Sequence, residues 1–193
     1  MLMDKKLIYL TGFMGAGKST IGPILANTIG WDSCDLDVLI EQKVGKKVRE
    51  IFEEDGEKYF RKIETETLQE VSQKSNLVVS LGGGTMANDK NLEILKRTGI
   101  TVYLKASSDS FYKRLKHKRD RPQLLINEKE DFSKDELVQR INELIRKRSK
   151  YYEQADIIIE TDDSTVGKTV DRIVNHLEKF NYKAESEKNK FKS

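Results

Sequence analysis

The stretch Gly12-Phe13-Met14-Gly15-Ala16-Gly17-Lys18-Ser19-Thr20 follows an apolar run, Leu7-Ile8-Tyr9-Leu10, and leads into a helical pattern. This is G-x-x-x-x-G-K-[ST] in a strand–loop–helix setting, which binds the phosphates of a nucleoside triphosphate. Glycines let the backbone curl until successive N–H groups point inward at an anion, and the following helix offers its positive dipole end. Gly15, Ala16, Gly17, Lys18, Ser19 and Thr20 are therefore the expected nucleotide-binding residues. Lys18 adds a point charge for the β- and γ-phosphates, and the Ser19 hydroxyl is placed to ligate Mg²⁺. A glycine-rich turn capping an ordinary helix is the plainer alternative; the position directly after the first strand argues against it.

Three further features fall where strands end. Asp35-Leu36-Asp37 sets two carboxylates two residues apart, so both can face the same way. One would hold Mg²⁺ through water, and the other could orient an attacking hydroxyl and accept its proton. A pair of turn aspartates is the structural alternative. Gly82-Gly83-Gly84 follows a buried strand and lets a ligand approach backbone N–H groups closely, where one glycine would suffice for a tight turn. That strand ends in Ser80, where many nucleotide-hydrolysing proteins carry a metal-orienting Asp, which shifts the metal duty toward Ser19 and Asp35. Arg61, Arg121 and Arg148 have guanidinium forks suited to carboxylate or phosphate. Each alone reads more readily as a solvated helix charge than as a site residue, and sequence spacing cannot make them converge.

The elements that must position these residues alternate between strand and helix. Strands are expected at 7–11, 33–35, 77–81, 100–104 and 157–160. Several of these are continuous apolar runs, as strands buried on both faces should be. Helical patterns follow the phosphate loop up to Gly30, run from 38 to 52 with a break at Gly45, and continue from about 57 to 73, 88 to 97, 108 to 117, 135 to 152 and 166 to 180. Pro23 falls in the first of these, where an interior proline costs about 3 kcal/mol. The stretch 116–133 has no clean period and reads as a loop or lid. Residues 181–193 are charged and are expected to be a disordered tail. The fold class is therefore α/β, a doubly wound five-stranded parallel sheet with its site at the carboxyl ends of the strands.

The bulk numbers fit this picture. The chain of 193 residues suits one domain, and its net charge of +3 fits anionic substrates but is too weak to argue for nucleic acid. A single cysteine, Cys34, excludes an internal disulfide and matches a reducing compartment. No apolar run approaches the roughly 20 residues of a membrane span, and no secretory signal is expected before Leu7. A cytoplasmic monomer that binds neither membrane nor nucleic acid is expected.

Taken in order, these motifs resemble the shikimate kinase family over about residues 5 to 165. The resemblance rests on Gly12 to Thr20; Asp35-Leu36-Asp37; Ile51 to Glu57 running into Phe60-Arg61-Lys62-Ile63-Glu64; Ser80 to Gly84; Arg121-Pro122 with Leu124-Leu125; and Arg148 before Tyr151-Tyr152. It implies a sheet of the P-loop nucleoside-monophosphate-kinase type over residues 1–180, with substrate helices over about 36–73 and a mobile lid at 116–133. It also implies transfer of the γ-phosphoryl of ATP to the 3-hydroxyl of shikimate, with Mg²⁺, in aromatic amino-acid biosynthesis. By motif, Asp37 is the candidate base, while Arg61 and Arg148 bind the substrate carboxylate. Gly83 and Gly84 give backbone contacts, Glu64 holds Arg61, and Phe52 and Phe60 wall the pocket. Ser19 and Asp35 serve the metal, Lys18 and Arg121 neutralise the transferred phosphoryl, and Arg114 lies against the adenine. The sequence departs from the family pattern at Gln123, inserted before Leu124, and in the acidic loop Thr161 to Thr165. A gluconate-type small-metabolite kinase and a non-catalytic nucleotide-binding regulatory module are the alternatives. Two arginines suited to a carboxylate argue against the first, and the full set Lys18, Ser19, Asp35, Asp37 and Arg121 argues against the second.

Overall fold

Side chains alternate along a strand, so Ile8 and Leu10 of β1 (Leu7–Thr11) enter one apolar cluster while Leu7 and Tyr9 enter another on the opposite face. A strand covered on both faces reads as an unbroken apolar run, which is how β1, β3 (Leu77–Ser80) and β4 (Ile100–Lys105) appear in the sequence. The edge strands differ. β2 (Asp32–Asp35) is short and polar, and β5 (Ile157–Glu160) alternates buried and exposed positions. A computed structural model describes residues 7–115 and 133–190, with side chains to residue 179. Within it all pairings are parallel, in the order β2-β3-β1-β4-β5. The expected α/β doubly wound five-stranded sheet is thus observed.

Register brings the strand ends level. Ser80 of β3 pairs with Leu10 of β1 on one side and with Asp35 of β2 on the other, so the segments after these strands leave from one edge. The order reverses about β1, which makes its carboxyl end the switch point where such sheets bind ligands.

The helices follow α1 (Lys18–Ile29), α2 (Leu36–Val44), α3 (Val48–Glu50), α4 (Gly56–Val71), α5 (Asp89–Thr98), α6 (Ser108–Leu115), α7 (Lys134–Tyr152) and α8 (Val166–Lys190). A π-helical turn, Ile51–Asp55, joins α3 to α4 and closes at Gly56 with φ of 83°. Gly45 stops α2 with φ of 76°. Pro23 is accommodated inside α1, and it lies on the exposed side one turn after the exposed Ser19. The hydrogen bond it removes is the one to the Ser19 carbonyl, at a position open to water.

One expectation is corrected. Residues 181–190 continue α8 as helix, where a disordered tail was expected. Ala184 and the Lys and Glu residues around it are good helix formers, and extending an existing helix avoids the cost of nucleating a new one. The expected lid at 116–133 lies, apart from Ser133, outside the described residues, as do Arg121 and Gln123. Among the described residues no helix is long and apolar enough to cross a membrane.

Candidate active site

The phosphate loop leaves β1 through a backbone that only glycine allows. Gly12 has φ of 141°, and a methyl group added there would lie 2.7 Å from the Leu104 carbonyl oxygen of β4. Gly17 caps α1 in the left-handed region without a side-chain hydrogen bond, and the first turn of α1 carries no acidic residue. The helix therefore offers its N-terminal amides and positive end to an external anion. Lys18 is buried to 8 % exposure, and its Nζ donates to the carbonyls of Gly12 at 2.8 Å and Phe13 at 3.1 Å. The ammonium is thereby held against the loop that it is expected to serve.

Ser19 Oγ donates to Asp35 Oδ2 at 2.6 Å, and the other oxygen of Asp35 accepts the Asp37 amide at 3.0 Å as the cap of α2. One carboxylate thus joins the first turn of α1 to the turn carrying Asp37. The donor set is a hydroxyl and a carboxylate, hard oxygen ligands that suit a Mg²⁺ completing its shell with water and phosphate. Among the described residues no group of three His, Cys, Asp or Glu could hold a metal unaided. Ser80 is not part of this set: its Oγ donates to the Lys18 carbonyl at 3.0 Å and packs against Gly22, fixing α1 on β3.

The glycine turn after β3 is where the remaining candidates meet. A methyl group added at Gly82 would lie 2.7 Å from Asp37 Oδ1 and 3.3 Å from Glu64 Oε1. At Gly83 it would lie 3.3 Å from the Met14 amide nitrogen of the phosphate loop and 3.7 Å from Arg148 Nη1. At Gly84 it would lie 2.6 Å from Arg61 Nη2. Asp37, Arg61, Arg148 and the phosphate loop therefore surround one backbone turn, reached from α2, α4, α7 and β1 respectively. The family model "Shikimate kinase" matches residues 14–178. The chain belongs to the shikimate kinase family.

Among the relatives, the shikimate kinase of Chlorobaculum parvum is 46 % identical over 173 residues, covering 90 % of this chain and 92 % of that one. The solved shikimate kinase from Bacteroides thetaiotaomicron is 37 % identical with a TM-score of 0.80, covering 89 % of this chain and 98 % of that one. A second solved structure, shikimate kinase from Acinetobacter baumannii in complex with shikimate, is 33 % identical with a TM-score of 0.83, covering 90 % and 93 %.

Within this family member, each arginine has its own support. Arg61 Nη1 donates to Glu64 Oε2 at 2.9 Å, and its Nε and Nη2 reach Glu57 Oε1 at 3.3 and 3.1 Å. Burial works against the charge of Arg61, but the Glu64 and Glu57 carboxylates outweigh it and raise the guanidinium pKa above its ordinary value. Its Cζ also stands 5.3 Å from the Phe60 ring and 6.0 Å from that of Phe52, and the two rings are 4.6 Å apart. Glu64 is fully buried; its other oxygen accepts Thr85 Oγ1 at 2.7 Å. Arg148, at 8 % exposure, donates from Nη1 to the Gly83 carbonyl at 3.1 Å.

The sequence did not single out Thr85, Asn91 or Tyr152 for a role. Asn91 Nδ2 donates to the Thr85 carbonyl at 3.0 Å and its Oδ1 accepts Thr65 Oγ1 at 2.8 Å, so Asn91 ties α5 to α4 and also steadies the residue that holds Glu64. The Tyr152 hydroxyl donates to the Gly83 carbonyl. A helix-face reading could have found Tyr152, one turn beyond Arg148, but nothing in its spacing separates it from a core aromatic.

Arg114 spans two loops rather than hanging over one. Its Nη1 reaches the Gly15 carbonyl at 3.4 Å and its Nη2 the Thr161 carbonyl at 2.9 Å. The acidic character of the loop after β5 also has a structural use. Asp162 accepts the Ser107 amide at 2.9 Å and its hydroxyl at 2.8 Å, at the start of α6. Hydrogen bonds from Ser110 and Ser107 hold the Asp162 carboxyl below its ordinary range.

Proposed function

We propose that the chain transfers the γ-phosphoryl group of ATP to the 3-hydroxyl of shikimate, giving shikimate 3-phosphate and ADP, within residues 1–180 as one kinase domain. The observation that carries this reading is the convergence of Asp37, Arg61 and Arg148 on Gly82-Gly83-Gly84, against the phosphate loop. Two guanidinium forks suit the carboxylate of the substrate, and the Gly83 and Gly84 amides add backbone donors beside them. Asp37 orients the acceptor hydroxyl and takes its proton. Gly15 to Thr20 cradle the phosphates, Lys18 neutralises the transferred group, and Arg121 joins it from the lid at 116–133. Ser19 and Asp35 would hold Mg²⁺, which when bound supplies positive charge between the phosphates. Arg114, tied to Gly15 and Thr161, borders the adenine. The reading is completed by a monomer in a reducing cytoplasm, the latter supported by the lone Cys34.

The test is a panel of hydroxy acids and sugars assayed for ATP-dependent phosphorylation. Shikimate is expected to be turned over and gluconate not. Turnover of gluconate alone would favour the sugar-acid kinase reading, and nucleotide binding without any product would favour a regulatory module.

A milder perturbation follows from the glycine turn. Gly84→Ala places a methyl group 2.6 Å from Arg61 Nη2, the far end of a flexible side chain, and Gly84 does not have positive φ. The backbone can keep its path while Arg61 moves. Shikimate affinity is expected to fall about tenfold, in line with disturbing a charge-assisted pair, with nucleotide affinity unchanged. Calorimetric titration of each ligand checks this.

A further inference from the structure

Tyr152 is fully buried on α7, one turn after Arg148, and its ring stacks on Tyr103 of β4 with centroids 4.9 Å apart and planes inclined by 26°. Packing alone would be served as well by phenylalanine. The hydroxyl, however, donates to the Gly83 carbonyl oxygen, the atom that also accepts Arg148 Nη1. Both acceptor positions of that oxygen are thereby used. Burial pushes the Tyr152 pKa up, against a pull from Arg148 in the other direction, so the hydroxyl keeps its proton and acts as donor at neutral pH.

The consequence follows from peptide geometry. A trans peptide is planar, with its C=O and the next N–H pointing in opposite directions. Fixing the Gly83 oxygen therefore fixes the direction of the Gly84 N–H, in a stretch whose glycines would otherwise let the unit rotate. The flanking units are held locally, Gly82 O by the Thr85 amide at 3.2 Å and Gly84 O by the Ala87 amide at 3.0 Å. The middle unit is held instead by two side chains from α7. Gly84 is also the glycine that stands against the Arg61 fork.

We infer that Tyr152 is a positioning residue that, together with Arg148, sets the Gly83–Gly84 peptide so that the Gly84 amide and the Arg61 guanidinium present donors to the same substrate carboxylate. This rests on the activity proposed above. It assigns the hydroxyl a part in substrate affinity that does not extend to the nucleotide, because the Gly84 amide it orients lies beside Arg61, one residue past the Gly83 position where the turn meets the phosphate loop.

The test is Tyr152→Phe, which keeps the ring and its stack. Its KM for shikimate is expected to rise about fivefold, with kcat within twofold and KM for ATP unchanged. An analogue of shikimate that lacks the carboxyl group altogether, and so offers no acceptor to the Gly84 N–H, should be bound equally by variant and wild type. Tyr103→Phe removes a hydroxyl from the partner of the same stack and serves as the matched control, with wild-type KM expected. An unchanged shikimate KM in folded Tyr152→Phe would overturn the assignment. So would an equal rise in the ATP KM, or an equal rise in Tyr103→Phe. Wild-type turnover of shikimate is measured alongside, so failure of the activity itself shows there and failure of the Tyr152 role shows only in the variant.

Discussion

Replacing Lys18 by alanine is expected to lower turnover about 10³-fold while the protein remains folded. The ammonium stands at the first residue of α1, held by the Gly12 and Phe13 carbonyls at 2.8 and 3.1 Å. The helix behind it has no acid in its first turn and no side-chain cap, so the positive field at its end is unopposed from within the helix. Phosphoryl transfer leaves little covalent work to the protein; what remains is to neutralise charge as it spreads over the transferred group. An interaction that strengthens toward the transition state is lost from kcat and kcat/KM together. The cost to folding is smaller. Two carbonyls at the loop lose a donor, about 1 kcal/mol each, against the 5–15 kcal/mol typical of a domain. Steady-state kinetics and a thermal melt followed by circular dichroism check both halves. Lys18→Met keeps much of the buried stem and separates charge from packing. Intact turnover in either variant would remove the nucleotide site from this loop.

What the sequence made legible is what local rules dictate. The phosphate loop was readable because Gly12, Gly15 and Gly17 occupy positive φ that other residues rarely adopt, and because an apolar strand precedes them. The sheet was readable because β1, β3 and β4 are buried on both faces and so lose the alternation of a half-exposed strand. Asp35 and Asp37 were readable as a pair, yet not as what they are structurally, a cap and the residue it caps. The extension of α8 was missed because low hydrophobicity was read as disorder, whereas helix propensity continued past Phe180.

The convergence of the arginines was implied by the family resemblance but not legible in their spacing, for a physical reason. Arg61 is placed by α4 and Arg148 by α7, and the approach of each to the glycine turn joins residues far apart in the chain. Glu64 could be paired with Arg61 from its spacing alone, one turn along the same helix. Thr85, which takes the other oxygen of Glu64, could not, since the pair is 21 residues apart and on different elements. Asp162 stands in the loop where the chain departs from the family pattern, and its part was equally hidden: its carboxylate accepts from Ser107, 55 residues away, and steadies the start of α6.

Arg61→Ala is expected to weaken shikimate binding about 10²-fold and leave nucleotide binding within twofold, since a charge-assisted fork to a carboxylate is lost while the phosphate loop is untouched. The same change should also lower stability by about 3 kcal/mol, because Glu64 is fully buried and would keep only Thr85 for its charge. Glu57, largely exposed, contributes little to that sum. The two effects have to be separated, and Arg61→Lys does so. Lysine preserves a cation for Glu64 but not the planar fork, so stability should recover more than affinity. Titrating shikimate and nucleotide separately by calorimetry, below the melting temperature of each variant, gives the comparison. Equal losses for both ligands would mean that Arg61 acts on the fold of the site as a whole, and the carboxylate would then have to be captured elsewhere.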